Sequence, residues 1–391
     1  MTIVFINYGS RSNNSANHIQ GFARELAALG HKVIIVSYDD EEAAASDQSA
    51  EFVQLSYAQF CLRLKTAAPR TLDPQDTILH AWTPRENVRL LVARVTSLRP
   101  FPYVVHLEDN ELYITATSLG INSTQLSQMS DYEFWQRVPR GQLTKPHEMD
   151  RFFRRSRGMT IITPTLAAFC PPETRPFLLE PGVDPELFRP VQIEKRETIL
   201  KELCLSREES YVAYTGNTHA ANRLEVEALY EAVAALRSKG MKIKLLRTGL
   251  DHTRPDPSVK RREGWLTEFG VVDKPTLLKV MQIADFFVQP GGPNEFNAYR
   301  LPSKIPECMA MGRPVIMPRT NIGLRVRGGQ EAVLMTKGDS DEIIAGLQLL
   351  IENPSLAARI GARGRNFAIQ NFSWARSARA LSDFYTSVCR A

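Results

Sequence analysis

The sequence predicts an α/β fold of two similar lobes, each built on its own parallel sheet and facing the other across a cleft. Three observations carry that prediction. Short apolar runs alternate with amphipathic stretches along nearly the whole chain, the pattern of strands joined by crossover helices. The alternation breaks once, where 181–190 is punctuated by proline and glycine and 194–209 is rich in charge. That places one domain at 1–185 and a second at 190–372. Finally, 285–317 reads as strand, short helix and strand, with Ser303 as N-cap, Pro306 in the first turn, Gly312 as terminator and Pro314 opening the next strand.

Taken in order, Thr2–Asn7 is an apolar first strand and Tyr8–Ala16 a polar loop. A helix follows with its apolar face through Ile19, Phe22, Leu26 and Leu29, stopped by Gly30. Lys32–Ser37 is the second strand. Thr77–Ala81 and Tyr103–Leu107 are further strands, each delivering polar residues at its carboxyl end, and Thr160–Thr163 completes the first sheet. The stretch Thr117–Arg157 fits no compact strand–helix step. In the second lobe, Tyr211–Gly216 is a strand, about Asn222 to Leu236 a helix, and Lys242–Gly249 a strand. No internal repeat is visible.

Composition bounds the functions. Of 391 residues, 43% are apolar and 23% charged, ordinary values that allow a large core. Five scattered cysteines without metal-ligand spacing point to a reducing, cytoplasmic setting and away from disulfides or zinc. The first apolar run is too short for a signal peptide, and no run nears the roughly 18 apolar residues that span a bilayer. A formal charge of +5 is mild, and neither charge nor motif supports nucleic-acid binding. Between Arg137 and Arg157, seven Arg/Lys stand against two acids, interleaved with aromatics. That segment is the candidate for peripheral contact with an anionic membrane face.

The segment 300–316 carries the clearest chemistry. A helix opening at the carboxyl end of a parallel strand aims free backbone N–H groups at a bound anion. Lys304, after Pro302 and Ser303, strengthens that preference. Glu307 fits only a ligand that also offers hydroxyls, and a ribose diol offers two. Lysine for diphosphate and glutamate for sugar suggest a nucleotide-sugar pocket. Glu108 and Asp109, after a strand, are candidates for acceptor hydroxyls. His80 and Arg85 follow another strand, and Arg85 suits an acceptor anion. Asn14, Ser15 and Asn17 in the first loop are further acceptor-side candidates. No Gly-x-Ser-x-Gly elbow and no pair of carboxylates at hydrolytic spacing is present.

Several segments together resemble the GT-B fold glycosyltransferases, most nearly family 4 of the retaining enzymes. They are Ser15–Gln20 running on to Leu29-Gly-His-Lys-Val33, Glu180-Pro-Gly-Val-Asp-Pro-Glu-Leu-Phe-Arg-Pro190, Tyr214-Thr-Gly216, Pro302–Ile316, and Phe372-Ser-Trp374 with the final helix. The resemblance implies that about 373–391 crosses back onto the first domain. It further implies metal-independent transfer of a sugar from a nucleotide donor, with retention, to a glycan, lipid-linked or small-molecule acceptor. No cofactor beyond the donor co-substrate is expected.

By the same resemblance His106 lies near the reacting sugar, Val272 in the segment that packs the base, and Gly216 and Asn217 at the donor turn. The sequence also departs from the family. Tyr299 stands where the first of two paired glutamates is usual, and Asn217 where an arginine is usual. Lys304 and Arg223 are then the expected diphosphate cations, with His106, Lys304 and Glu307 the catalytic set. Two alternatives stay open: a nucleotide-sugar epimerase on this fold, and a catalytically silent nucleotide-sugar-binding partner of another transferase.

Overall fold

The computed structural model describes residues 1–38, 51–66, 72–254 and 264–390. They form two compact units, the first comprising Met1–Gly182 together with the C-terminal segment from Trp374, the second Val183–Ser373.

The first unit holds a parallel sheet in the order β3-β2-β1-β4-β5-β6-β7. Its strands are β1 (Thr2–Asn7), β2 (Lys32–Ser37), β3 (Val53–Ser56), β4 (Thr77–Trp82), β5 (Tyr103–Leu107), β6 (Gly158–Ile161) and β7 (Phe177–Leu178). The strands β1 and β4 are buried at every residue because helices cover both faces, which is why they read as unbroken apolar runs. The second unit repeats the plan in the order β10-β9-β8-β11-β12-β13. These strands are β8 (Ser210–Thr215), β9 (Ile243–Thr248), β10 (Leu266–Glu268), β11 (Phe286–Val288), β12 (Val315–Pro318) and β13 (Val333–Met335).

In each sheet the winding direction reverses once, between β1 and β4 and between β8 and β11. Strands leave such a point in opposite directions, opening a crevice at their carboxyl ends where ligands bind in sheets of this type. The residues after β1, β4 and β5, and after β8, β9 and β11, are therefore the ones to inspect.

The sequence reading needs four corrections. Thr160–Thr163 does not close the first sheet, because β7 adds a short edge strand. The first helix begins at Asn14, capped by the Asn13 side chain on the Ala16 N–H, so Asn14, Ser15 and Asn17 lie in a first turn and not in a loop. Leu29 is exposed and outside the apolar face, since the helix ends at Ala28. The stretch that fitted no compact step holds four helices, Glu111–Leu119, Ser123–Gln128, Asp131–Arg137 and Pro146–Arg155.

The helix Trp374–Arg390 packs on the helix Asn14–Ala28 within the first unit. A Cβ on Gly21 would come 2.5 Å from the Trp374 ring, so only glycine admits that close approach, and Trp374 meets Phe22 edge-on at 5.1 Å. Among the described residues no helix is long and apolar enough to cross a membrane.

Candidate functional site

At the carboxyl end of the first sheet, polar groups from four places converge. Glu108, just past β5, has one carboxylate oxygen on Ser15 Oγ and the other 2.7 Å from His18 Nδ1. Burial pushes this carboxyl up, but the His18 contact and charge, helped by His106 and Ser15, hold it down at about 2. Arg85, past β4, donates from Nε to Glu111 Oε2 at 3.0 Å and lies 3.7 Å above the Tyr8 ring. Burial works against the Arg85 charge, yet Glu111 and Tyr8 more than restore it, so the cation is firmly held. Thr83 is buried in the left-handed region at φ 73° and donates its N–H to the His106 carbonyl. Such strain at a sheet's ligand end marks a position over-determined by its surroundings.

His106, the penultimate residue of β5, is fully buried, its ring 4.1 Å from that of Trp82. Its Nδ1 is 2.7 Å from Thr160 Oγ1, and Nε2 has no partner. Burial drives its pKa down to about 3, against the pull of Glu108, so the ring is neutral near pH 7.

The second sheet ends differently. The turn after β8 passes through Gly216, whose N–H bonds the Thr248 carbonyl, and the turn after β9 through Gly249. Gly249 has φ 102°, and a Cβ there would lie 2.6 Å from the Gly216 carbonyl oxygen, so two backbones touch where side chains do not fit. The helix Lys304–Ala310 stands beside this turn: Cys308 hydrogen-bonds Thr215. Burial lowers the Lys304 pKa and Glu307 raises it. Arg300 lies with its guanidinium 4.2 Å over the Phe296 ring and has an unpartnered buried Nε. Asn321, itself at φ 46°, fixes the backbone there by donating to the Asn297 and Arg300 carbonyls. The Arg300 charge reaches Tyr214, His219 and Glu225, and burial together with Arg300 lowers His219 to about 4. Among the described residues neither Lys304 nor Arg300 is in a salt bridge.

Several predicted residues come together. Ser15 meets Glu108, Arg85 feels the charge of Asp109, and Gly216 lies near the helix bearing Lys304 and Glu307. Others need correction. His80 is fully buried with both ring nitrogens engaged, Nδ1 by Tyr385 and Nε2 by Thr160, so it has none left for an acceptor. Arg223 is half exposed and pairs with Glu227 one helical turn on, an arrangement that spends its charge locally. The Asn217 side chain accepts from Leu250 N–H, bracing the two glycine turns. Ser303 occupies the N-cap position but makes no side-chain cap; Pro302 accepts from Ile305 N–H. Val272 is half-buried beside Gly270, whose carbonyl takes the Gly249 N–H. Asn14 and Asn17 are exposed.

In the basic segment, Phe152 and Phe153 face the core and four of the seven cations, Arg137, Lys145, Arg151 and Arg154, are ion-paired. Of the aromatics in the wider stretch from Thr117, Phe134 is also buried, whereas Tyr132 is exposed. Sequence reasoning missed His18, Tyr8, Thr160 and Arg300. Only His18 left a signal, lying three residues after Ser15 and hence on the same helical face.

Residues 209–353, inside the second unit, match the family described as glycosyl transferases group 1. The chain is also 28% identical over 201 residues to the MMP alpha-(1->4)-mannosyltransferase of Mycolicibacterium hassiacum, covering 49% of this chain and 44% of that protein. The match therefore spans less than half the length of that relative. Among solved structures, sucrose-phosphate synthase from Thermosynechococcus elongatus superposes with a TM-score of 0.75 at 16% identity over 99% of both chains. Anabaena HepE in complex with UDP-glucose gives 0.70 at 13% identity over 99% of this chain and 100% of that one. The chain has the glycosyltransferase fold of these structures.

Proposed function

We propose that this chain is a nucleotide-sugar-dependent glycosyltransferase that transfers a hexosyl group to a hydroxyl of a glycan, lipid-linked or small-molecule acceptor. The observation that carries the reading is the second sheet's ligand end, where among the described residues Lys304 and Arg300 are in no salt bridge and stand near the glycine turns at Gly216 and Gly249. Negative charge grows on the departing diphosphate as the glycosidic bond breaks, and fixed cations there stabilise the transition state more than the ground state. Arg300 takes the role that the sequence reading gave to Arg223. Glu307, one helical turn from Lys304, accepts from the ribose diol. In the first unit the neutral His106 and the anionic Glu108 address the hydroxyls of the transferred sugar and its acceptor.

With two cations at the leaving group, transfer proceeds without a divalent ion, and EDTA leaves the rate unchanged. Retention is the expected stereochemical outcome, read from the anomeric proton of the product. UDP-glucose, bound by HepE, and a mannosyl donor, after the mannosyltransferase relative, are the first donors to test. A thermal-shift screen against UDP, GDP, ADP, dTDP and CMP identifies the nucleotide. A ligand at about 100 times its Kd adds roughly 2.7 kcal/mol of stability. Glu307→Ala abolishes the preferred shift and leaves the unliganded melting point in place. No shift with any nucleotide would overturn the reading.

A further inference from the structure

A cavity of about 420 Å³ opens in the first unit, at the carboxyl end of its sheet. Of its wall residues, Tyr38 and Tyr57 directly follow β2 and β3, and Asn87 comes shortly after β4. Three contacts tie this wall to the end of β1. The Tyr57 hydroxyl donates to the Asn7 carbonyl at 2.9 Å, Asn87 Nδ2 to the Tyr8 carbonyl at 2.7 Å, and the Tyr38 N–H to the Gly9 carbonyl at 3.1 Å. None of the lining residues belongs to the Glu108 and Arg85 cluster.

The opposite wall is built in advance of any ligand. The helix Glu86–Leu98 begins with N–H groups that need partners outside it. Glu86 N–H takes the Leu143 carbonyl at 3.1 Å and Asn87 N–H the Gly141 carbonyl at 2.9 Å. Gly141 has φ 64°, and a Cβ there would lie 3.1 Å from the Asn87 nitrogen, so glycine suits this approach. Pro139 and Arg140 are thereby held against the helix start, and Trp135 precedes them on a helix anchored by buried Phe134. Along Glu86–Leu98, Asn87 and Leu91, and Leu90 and Arg94, are spaced by four, so they share the side that lines the cavity.

The lining has two chemistries. Tyr38, Tyr57 and Trp135 give aromatic surface, Tyr38 meeting Tyr57 edge-on at 5.3 Å, and Leu90, Leu91 and Pro139 extend it. Arg94 and Arg140 bring guanidinium groups from two separate elements, and among the described residues no carboxylate lines the cavity. The volume lies within the roughly 300–1,000 Å³ of small-molecule sites. Aromatic rings pack against the C–H face of a sugar, and guanidinium forks fit a carboxylate or phosphate. A hydrocarbon chain would use the rings alone, and a simple anion the arginines alone.

We propose that this cavity holds the acceptor and that the acceptor is an acidic sugar, its ring against the aromatic wall and its carboxylate or phosphate on Arg94 and Arg140. That the bound sugar is the acceptor rests on the proposed function; that an acidic sugar binds here does not. The donor diphosphate stays with Lys304 and Arg300, so each of the two substrates' anions has its own cations.

Trp135 reports the test. The full chain labelled with 15N-tryptophan gives four indole N–H signals, and Trp135 is assigned by its loss in Trp135→Phe. Glucuronate and glucose 6-phosphate move the Trp135 signal to saturation, and the tighter of the two names the acid group. Glucose and inorganic phosphate, each lacking half of the match, bind at least about tenfold more weakly. Arg94→Gln and Arg140→Gln each weaken the acidic sugar about tenfold or more and leave the melting point in place, both side chains being exposed. Calorimetry of the same titrations gives these affinities without the assignment. A Trp135 signal and a calorimeter silent toward both acidic sugars overturn the proposal. So does equal affinity for glucose, equal affinity for inorganic phosphate, which marks a bare anion site, or native affinity in both arginine variants. No nucleotide enters these titrations. Nucleotide binding without acidic-sugar binding sinks this proposal alone, and acidic-sugar binding without any nucleotide shift sinks the transferase reading alone.

Discussion

The two sheets end in opposite electrostatic designs. Past the first, Glu108 is answered by His18 and Ser15, and Arg85 by Glu111 and the Tyr8 ring. Past the second, among the described residues, Lys304 and Arg300 are in no salt bridge, with Glu307 and Glu225 acting on them as nearby charges, and glycines let the neighbouring turns pack backbone to backbone. Charges answered inside the protein fix geometry and present directed, nearly neutral groups. Cations outside any salt bridge keep more of their attraction for a ligand. On the proposed function, the contrast gives neutral hydroxyl chemistry to the first end and the anion to the second, although one strand plan builds both.

The most damaging change should be Lys304→Met. Removing a preorganised cation from the leaving group costs roughly 100- to 1,000-fold in kcat, and steady-state assays with the accepted donor measure it. A native-like rate would remove the anion from the second end.

Glu108→Gln probes the first end. The folded carboxyl, near 2, lies below its ordinary value of about 4.3. Its contribution to stability is therefore present above about pH 4.3 and lost as the pH falls toward 2. The separation corresponds to on the order of 3 kcal/mol. Denaturant melts across that window should show a shallower acid loss in Glu108→Gln; an identical profile would mean His18 and Ser15 do not hold the charge.

Gly249→Ala should destabilise by about 1–3 kcal/mol, from a positive φ and a close carbonyl, and thermal melting reports it. The smallest effect belongs to Arg223→Ala, less than about twofold in donor affinity, because an exposed pair with Glu227 is worth little. A large loss there would restore Arg223 as a diphosphate ligand in place of Arg300.

Much of this design was legible in the sequence, and the failures share a cause. Apolar runs such as Thr2–Asn7 are long and unbroken because both sheet faces are covered, so the strands and the two-lobe plan could be read directly. The helix bearing Lys304 and Glu307 could be read because a strand, a proline and a glycine bracket it. His80 was misassigned because a histidine next to a strand end looks the same whether its nitrogens face a ligand or Tyr385, a residue 305 positions away in the chain. Arg300 was missed because its placement depends on Asn321, which holds the 297–300 backbone from outside the segment. Local pattern reveals elements, whereas partners distant in sequence decide what a polar side chain does.

The central claim is that anion recognition resides in Lys304 and Arg300 and not in the first unit's polar cluster. Calorimetric titration of the nucleoside diphosphate found by the screen, into native protein, Lys304→Met, Arg300→Ala and His106→Asn, tests it directly. The account predicts about a tenfold or greater loss of affinity for each cation removed, matching charge-assisted hydrogen bonds of roughly 1.5–3 kcal/mol, and native affinity in His106→Asn. Native affinity in both cation variants would contradict it.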